Sequence, residues 1–417
     1  MSYNAAALIP RVSSRVEFTV PAASSSYSPS CSPPYTCRVV RRIADIPATV
    51  WDALAGTEYP FLCHAFLLAL EESGCVSANT GWQPLHLLFS HPGEDTPCAA
   101  LPLYLKAHSM GEYVFDWSWA DAYQRYGVAY YPKLVSAVPF TPCAGPRVLR
   151  RDNDPALLPF LCAHMQTLAR DLDASSWHVL FPEPALGEAL GAQGLLRRTG
   201  CQYQWFNHGY ASFEHYLESF NSRKRKNLRK EREKVRDAGF TFAQLEGAAI
   251  TPALWERFYT FYASTYHARG RKPYLTLDFF QRLGNTLPEH LLLILAQREG
   301  QPLAGALYFK GGDTLYGRYW GCTQESQFLH FETCYYQGID YCIRHGLARI
   351  DSGAQGEHKI QRGFKPVPTW SAHWIARSDF RRAIAEFVEE EERHVHGYLE
   401  QAAEYLPFRK GLELSSD

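Results

Sequence analysis

The sequence predicts an α/β protein in which one unit of helices and strands occurs twice. Its 417 residues, 46% of them hydrophobic, can bury a large core and suggest about two or three domains. A helix pair, three strands, a helix and a strand follow one another in the first half, and the same order returns in the second half. A short echo supports the duplication, because Leu103-Tyr-Leu-Lys106 matches Leu307-Tyr-Phe-Lys310 at an offset of 204 residues.

The first copy follows a Ser- and Pro-rich segment, residues 1–36, which we expect to be a flexible tail. This tail lacks a charged start before a long apolar core, so a secretory signal is not predicted. Apolar periodicity and turn residues then predict the elements of a first domain over residues 37–205: helices at 44–54 and 61–73, strands at 85–89, 99–106 and 113–119, a helix from Asp154 to about Leu172, and a strand at 177–181.

The second copy covers residues 206–375. Its predicted elements are helices at 255–266 and 277–283, strands at 291–297, 302–310 and 314–320, a helix at 332–344 ended by Gly346, and a strand at 348–351. A second echo aligns Ser118-Trp-Ala120 with Tyr319-Trp-Gly321. In the C-terminal segment, residues 376–417, a helix from about Phe380 to Tyr405 should pack through Ile384, Phe387 and Val388.

Charge and cysteine usage restrict the class of protein. Forty-two basic against 43 acidic side chains give a net charge of -1, so any basic surface must be local, and DNA binding is not predicted. No apolar run approaches the roughly 20 residues of a membrane span. The 11 cysteines include no C-x-x-C pair, which argues against a disulfide framework or a zinc site. We therefore expect a cytoplasmic protein without a metal.

Three stretches carry a resemblance to a known family. They are the aromatic and acidic stretch 112–123, the basic stretch 223–232 and the glycine-rich stretch 351–364. Together they resemble the bacterial N-acyltransferases described as FemAB-like or as peptidoglycan biosynthesis and recognition proteins, over roughly residues 40–405. The resemblance implies tandem GNAT-like domains.

The first stretch supplies two candidate catalytic carboxylates, Asp116 and Asp121. Strand alternation would place Asp116 opposite the face of Phe115, Trp117 and Trp119, among large apolar neighbours. Desolvation there would raise its pKa toward that of a useful base. Either carboxylate would then act as a base or would anchor the substrate amine. The alternative is that both only accept backbone N–H bonds at the end of a strand.

The second stretch predicts a basic helix. Residues 223–236 hold nine Lys or Arg, and arginines recur every three or four positions, which makes a stripe suited to phosphates: Arg225, Arg229, Arg232 and Arg236. The alternative is a solvated face paired with Glu231 and Glu233. The resemblance favours the first interpretation, because it implies transfer RNA or nucleotide-linked cell-wall precursors as ligands. Few aromatics interleave with the stripe, so base stacking is not expected.

The third stretch begins where the last strand of the second copy ends, which is where open α/β sheets place ligands. Its glycines allow close backbone approach, and His358 is a candidate acid or base. The resemblance implies an Asp-x-Gly and Lys-x-Gly-Phe pattern near the substrate phosphates, carried here by Asp351, Gly353, Lys359 or Arg362, Gly363 and Phe364. Because Arg362 precedes Gly363, an anion-binding role is implied rather than a specific lysine. The alternative is a surface loop whose charged side chains are simply solvated.

The acyl donor is left open. GNAT domains that use acetyl-CoA carry an Arg/Gln-x-x-Gly-x-Gly/Ala turn after the fourth strand, and the sequence after Trp320 has no such turn. No cofactor is therefore assigned, and acyl-CoA or aminoacyl-tRNA remains a possible donor. Arg318 and Tyr319, on the strand before this point, are candidate pocket residues or simply pack within the sheet.

These observations favour an N-acyltransferase acting on an amine of an anionic small-molecule or nucleotide-linked substrate, with a peptidoglycan precursor as one candidate. One alternative is a non-catalytic protein that binds a cell-wall precursor or RNA. A further alternative is an acetyl-CoA-dependent GNAT N-acetyltransferase. Hydrolase chemistry lacks support, because no Gly-x-Ser-x-Gly elbow is present.

Overall fold

A computed structural model describes residues 34–353 and 356–409. The predicted tail lies outside these residues except for its last three, and Gln355 of the glycine-rich stretch also lies outside them. The first half contains, in order, β1 (Thr36–Val40), α1 (Ala48–Ala55), α2 (His64–Glu72), β2 (Trp82–Pro84), β3 (His86–Ser90), β4 (Ala99–Leu101), β5 (Tyr104–Lys106), α3 (Trp117–Arg125), β6 (Lys133–Ser136), β7 (Leu149–Arg150), α4 (Leu157–Asp171), β8 (Ser176–Leu180), α5 (Pro184–Ala192) and β9 (Leu196–Phe206).

The second half contains α6 (Phe213–Glu218), α7 (Ser222–Asp237), β10 (Phe240–Glu246), α8 (Pro252–His267), α9 (Leu277–Thr286), β11 (Leu291–Arg298), β12 (Gln301–Gly311), β13 (Thr314–Cys322), α10 (Leu329–Phe331), α11 (Gln337–His345), β14 (Arg349–Asp351), β15 (Lys365–Ile375) and α12 (Ser378–Glu404). A π-helical turn, Glu332–Tyr336, joins α10 to α11, and a 3-10 helix covers Glu357–Arg362.

The chain divides into two compact units. The first unit comprises the residues up to Gly200 together with Thr369–His394. One of its sheets has the order β1-β3-β4-β7. The other has the order β2-β5-β6-β8, and residues 371–375 of β15 pair with β8 in antiparallel fashion. Leu101 ends β4 and Tyr104 begins β5, and between them Pro102, which cannot donate to a sheet ladder, divides the predicted strand 99–106.

The second unit comprises Cys201–Pro368 with the residues from Val395 onward. Its strands have the order β10-β11-β12-β13-β14, and residues 204–206 of β9 pair with β14 in antiparallel fashion. The predicted boundaries 37–205 and 206–375 follow chain order, whereas the units do not. The difference arises because β9 and β15 each begin in one unit and end in the other.

The same topology occurs in both units. In the first unit, β5 is antiparallel to β6, and β6 is parallel to β8. In the second unit, β12 is antiparallel to β13, and β13 is parallel to β14. Tyr104 on β5 and Tyr308 on β12 therefore occupy equivalent positions, as the first echo predicts. This topology confirms the predicted α/β class and the tandem duplication.

The stretch 113–119 is predicted as a strand, and this prediction is wrong. Residues from Trp117 form α3, in which Trp119 and Tyr123 are buried while Trp117 is exposed. Aromatic residues spaced by two resemble a strand, but the decisive spacing is the four residues from Trp119 to Tyr123, which places both rings on one helix face. The second echo is also wrong, because it aligns a helix with β13.

The long C-terminal helix α12 forms as predicted, but one of its predicted contacts does not. Phe380, Ile384 and Val388 are buried at a spacing of four residues, whereas Phe387 is 40% exposed. Phe387 lies beside this stripe, with the Arg198 guanidinium 5.9 Å from its ring centroid. Within the described ranges, none of the helices combines the length and apolar character needed to cross a bilayer.

Candidate functional site

The glycine-rich stretch follows β14 in the second unit, and the last residue of β14, Asp351, lies beside Tyr316 of the parallel strand β13. Asp351 Oδ1 accepts a hydrogen bond from the Gly353 amide at 2.9 Å and forms an ion pair with Arg318 Nη2 at 2.7 Å, and both charged side chains are buried. Gly353 has φ +74°, and a Cβ there would lie 2.8 Å from Arg318 Nη1. This turn therefore requires glycine.

Lys359 lies directly beneath this turn and is only 4% exposed. Its Nζ donates to the carbonyl oxygens of Ser352, at 2.8 Å, and Gly353, at 3.2 Å. In the part of the chain that the structure describes, no carboxylate pairs with it. Burial lowers the pKa of Lys359 to about 8, although Asp351 opposes the shift. A buried ammonium whose partners are neutral carbonyls leaves positive charge at this point.

Arg362 is held by the basic helix rather than presented to solvent. Its Nη2 donates to both Glu231 oxygens at 2.8 Å, and its Nη1 donates to the His358 carbonyl at 2.7 Å. The guanidinium lies 3.4 Å from the centroid of the Phe331 ring. The Tyr336 hydroxyl also donates to Glu231. The observed anion partner of Arg362 is thus Glu231, and Glu231 serves the loop rather than neighbouring cations of its own helix.

Some basic residues of α7 form ion pairs, and others are exposed to solvent. Arg229 pairs with Glu214 at 2.6 Å, and Arg232 pairs with the buried Glu332 at 2.8 Å; Arg225 is half-buried. The helix forms as predicted because Asn221 caps it and Leu228 and Val235 anchor it. Apart from Arg229, its solvent-exposed cations are Arg223, Lys226, Lys230, Lys234 and Arg236.

The remaining predicted residues of the second unit differ in exposure. His358 is exposed, and its Nε2 is 2.9 Å from the Tyr335 hydroxyl. Partial burial and then Arg362 lower the pKa of His358, which favours a neutral ring. Phe364 is buried against Tyr335, and Gly363 has φ +80°. Tyr319 is buried and packs in an aromatic cluster with Tyr262 and Phe280.

Asp116 lies in the first unit and is 2% exposed. Its Oδ2 pairs with Lys133 Nζ and accepts a hydrogen bond from the Tyr130 hydroxyl at 2.6 Å. Burial opposes ionisation, but the Lys133 charge outweighs it, so the pKa of Asp116 lies well below its usual range. The predicted rise is therefore wrong, because a strand pattern cannot reveal the lysine. Asp121 is exposed on α3.

The sequence did not single out two lysines that are central to this unit. Lys106 on β5 and Lys133 on β6 are direct register partners and are both 0% exposed. Lys133 Nζ also donates to Glu112 Oε2 and Ser109 Oγ at 2.8 Å each. The available signal was a lysine within a buried apolar strand, at the end of Leu103-Tyr-Leu-Lys106 and at the start of Lys133-Leu-Val.

Two buried histidines continue the polar network. His178 on β8 and His373 on β15 are register partners, and their Nδ1 atoms lie 2.5 Å apart. The second nitrogen of each ring contacts a serine hydroxyl, Ser176 at 2.7 Å and Ser371 at 2.8 Å. Burial lowers the pKa of His178 to about 3 and that of His373 well below its usual value, so both rings are neutral.

Comparison with known proteins identifies one family. The model of the FemAB-like family, described as peptidoglycan biosynthesis/recognition, matches residues 42–410. Comparison with curated proteins finds no significant match.

Several solved structures are similar to this chain at low sequence identity. FemX is 13% identical and has a TM-score of 0.47, over 76% of this chain and 93% of FemX. L-PGS from Bacillus licheniformis is 10% identical, with a TM-score of 0.47 over 82% of this chain and 98% of that one. A tandem GNAT protein from the clavulanic acid biosynthesis pathway is 11% identical, with a TM-score of 0.42 over 82% and 99%.

Proposed function

The chain belongs to the FemAB-like family, and from that premise we propose that it is a cytoplasmic N-acyltransferase that forms an amide on an amine of an anionic substrate. The observation that supports the proposal most strongly is Lys359, a buried ammonium with main-chain carbonyl partners just beyond the carboxyl end of β14. Burying such a charge costs free energy unless a ligand anion neutralises it.

The proposed ligand contact is a phosphate or carboxylate oxygen of the substrate. Lys359 Nζ has three N–H groups, and two of them donate to Ser352 and Gly353. The third is left for the substrate anion. The Asp351–Arg318 ion pair fixes the turn on which these two carbonyls lie, so it positions Lys359 without contacting substrate. Arg362, through Glu231, attaches the far end of the loop to α7.

The proposed reaction is aminolysis of an ester or thioester. The acceptor nitrogen attacks the donor carbonyl carbon, the C–O or C–S bond breaks, and the amine proton passes to a base and then to the departing oxygen or sulfur. His358 is the candidate base within this unit. When its Nε2–H donates to Tyr335, its Nδ1 carries the lone pair that accepts the proton. A positioned base typically contributes about 100- to 10,000-fold in rate.

The substrate class follows from the family and the charges. A nucleotide-linked peptidoglycan precursor supplies both phosphates for Lys359 and an acceptor amine. The open cations of α7 suit a larger polyanion and therefore favour aminoacyl-tRNA as donor over acyl-CoA. The same cations are the specific reason to keep a second candidate, a non-catalytic protein that binds the precursor or RNA.

The anion contact is tested by equilibrium binding of a nucleotide-linked cell-wall precursor to the full chain. We expect Lys359→Met to weaken binding at least about tenfold, the loss expected for a charged hydrogen bond. Lys365→Met is the matched control, because Lys365 lies six residues further along and is partly exposed. Equal loss in both variants, or in neither, would contradict the proposed site.

A further inference from the structure

We propose that residues 107–116 form a latch over a second anion-binding site, in which Lys106 and Lys133 take a diphosphate or phosphate group when the latch moves. This site lies in the first unit and does not depend on the proposed transfer reaction. The inference comes from the source of the charges around the two lysines. The strands supply only the cations, whereas the two carboxylates that neutralise them, Glu112 and Asp116, both come from the latch.

The lysine pair is not a requirement of the fold. Like charges directly opposite each other in a sheet are destabilising. At the equivalent position of the second unit, Lys310 on β12 lies opposite Leu315, and it pairs with Glu246 at a partly exposed site. The first unit instead places Lys106 opposite Lys133, with both side chains fully buried. Two neighbouring buried ammonium groups can bind a divalent anion. In the closed latch, the carboxylates of Glu112 and Asp116 supply the same two negative charges.

The carboxylates of the latch neutralise the positive charge of Lys106 only in part. Lys106 Nζ lies 4.0 Å from Glu112 Oε1 and donates to the Met110 carbonyl at 3.2 Å, and it lies 3.6 Å from the centroid of the Trp82 ring. Burial lowers the pKa of Lys106 to about 7 and raises that of Glu112 to about 7. Among the described residues, Glu112 Oε1 and Asp116 Oδ1 are buried without a hydrogen-bond partner. The site therefore keeps unused donors and acceptors.

The latch is also irregular in structure. Residues 107–116 form neither helix nor strand, and the hydrogen bonds to their main chain include Phe140 N to Gly111 O at 3.2 Å and Arg198 Nη1 to Phe115 O at 2.9 Å. Tyr113 has φ +61°, an unfavourable conformation for an aromatic residue. On the outer side, Met110 and Phe115 are exposed apolar side chains. A segment that is not part of a helix or of a strand ladder opens more easily than the strands beneath it.

The test uses the wild-type full chain with inorganic pyrophosphate as probe. Hydrogen exchange should be faster in residues 107–116 than in β5 and β6, and pyrophosphate should speed it further. The same addition should protect Lys106 and Lys133 from an amine-acetylating reagent, as measured by peptide mass spectrometry. These local readouts separate this site from pyrophosphate bound near Lys359, so the proposed function can fail while this proposal stands.

Two variants complete the test. Glu112→Gln removes one competing charge from the latch and should tighten pyrophosphate binding at this site about tenfold. Lys106→Met should abolish the pyrophosphate response of the latch, whereas Lys310→Met, at the equivalent position of the second unit, should preserve it. The proposal is overturned if pyrophosphate changes neither exchange nor labelling, or if the two lysines react only when β6 itself unfolds.

Discussion

Replacing Arg362 separates an internal ion pair from a ligand contact. The side chains of Arg362 and Glu231 are 7% and 18% exposed. Removing one partner of a buried pair typically costs about 3–5 kcal/mol, because the other charge stays buried. Partial solvation of Glu231 reduces that cost, while loss of the contact with Phe331 adds about 0.5–2 kcal/mol. We therefore expect Arg362→Met to lower the unfolding free energy of the second unit by about 3 kcal/mol.

The double variant isolates the pair. In Arg362→Met with Glu231→Gln no uncompensated carboxylate remains, so much of the loss should be recovered, with a coupling of about 1–3 kcal/mol. Because two units need not unfold together, the free energy is measured from the denaturant dependence of hydrogen exchange in peptides of β13 and β14. A folded Arg362→Met protein that loses less than about 1 kcal/mol but no longer binds the precursor would refute this reasoning and make Arg362 a ligand.

Three further predictions follow from burial and backbone geometry. Asp116→Asn should destabilise the first unit by about 1–3 kcal/mol, because the buried Lys133 then keeps only Glu112 as a carboxylate partner, and denaturation should detect the change. Gly363→Ala should cost about 1–3 kcal/mol, since φ is +80° and a Cβ would overlap the Tyr216 hydroxyl; Gly346→Ala, with φ +68° and open space, is the milder control in thermal unfolding. The pKa of His178 is about 3 in the folded protein and near 6.5 in the unfolded chain. Between these two pH values only the unfolded state binds the proton, so the unfolding free energy should fall by up to about 1.4 kcal/mol for each pH unit below 6.5. His178→Gln should flatten that slope in pH-dependent urea titrations, and an unchanged slope would assign it to other groups.

The sequence predicts those parts of the fold that depend on local pattern. The strand Leu291–Arg298 and the helix α7 are both specified by the pattern of neighbouring residues, and both form where expected. The stretch at 113–119 misleads because aromatic residues spaced by two and by four coexist there. No local sequence pattern shows that β9 and β15 each begin in one unit and end in the other, because strand pairing depends on the whole fold.

The candidate site, too, could be predicted from the sequence only in part. The glycines and the basic residues of 351–364 are visible as a motif, and Asp351, Gly353 and Lys359 do meet at one turn. Their partners are not visible, because the contact of Arg362 with Glu231 joins residues 131 positions apart. The buried lysine pair of the first unit depends on register, which places Lys106 opposite Lys133, 27 positions further along the chain. A composition with balanced charge gives no sign of either arrangement.

If this chain forms an amide bond, the acceptor gains mass during the reaction, and that mass is what we would measure. Purified full chain is incubated with a nucleotide-linked peptidoglycan precursor and, in separate reactions, with isotope-labelled aminoacyl-tRNA or acyl-CoA. We expect a labelled amide product from the aminoacyl-tRNA, which is lost in Lys359→Met and retained in Lys365→Met. Precursor binding that depends on Lys359, with no product from either donor, would contradict it and identify a binding protein.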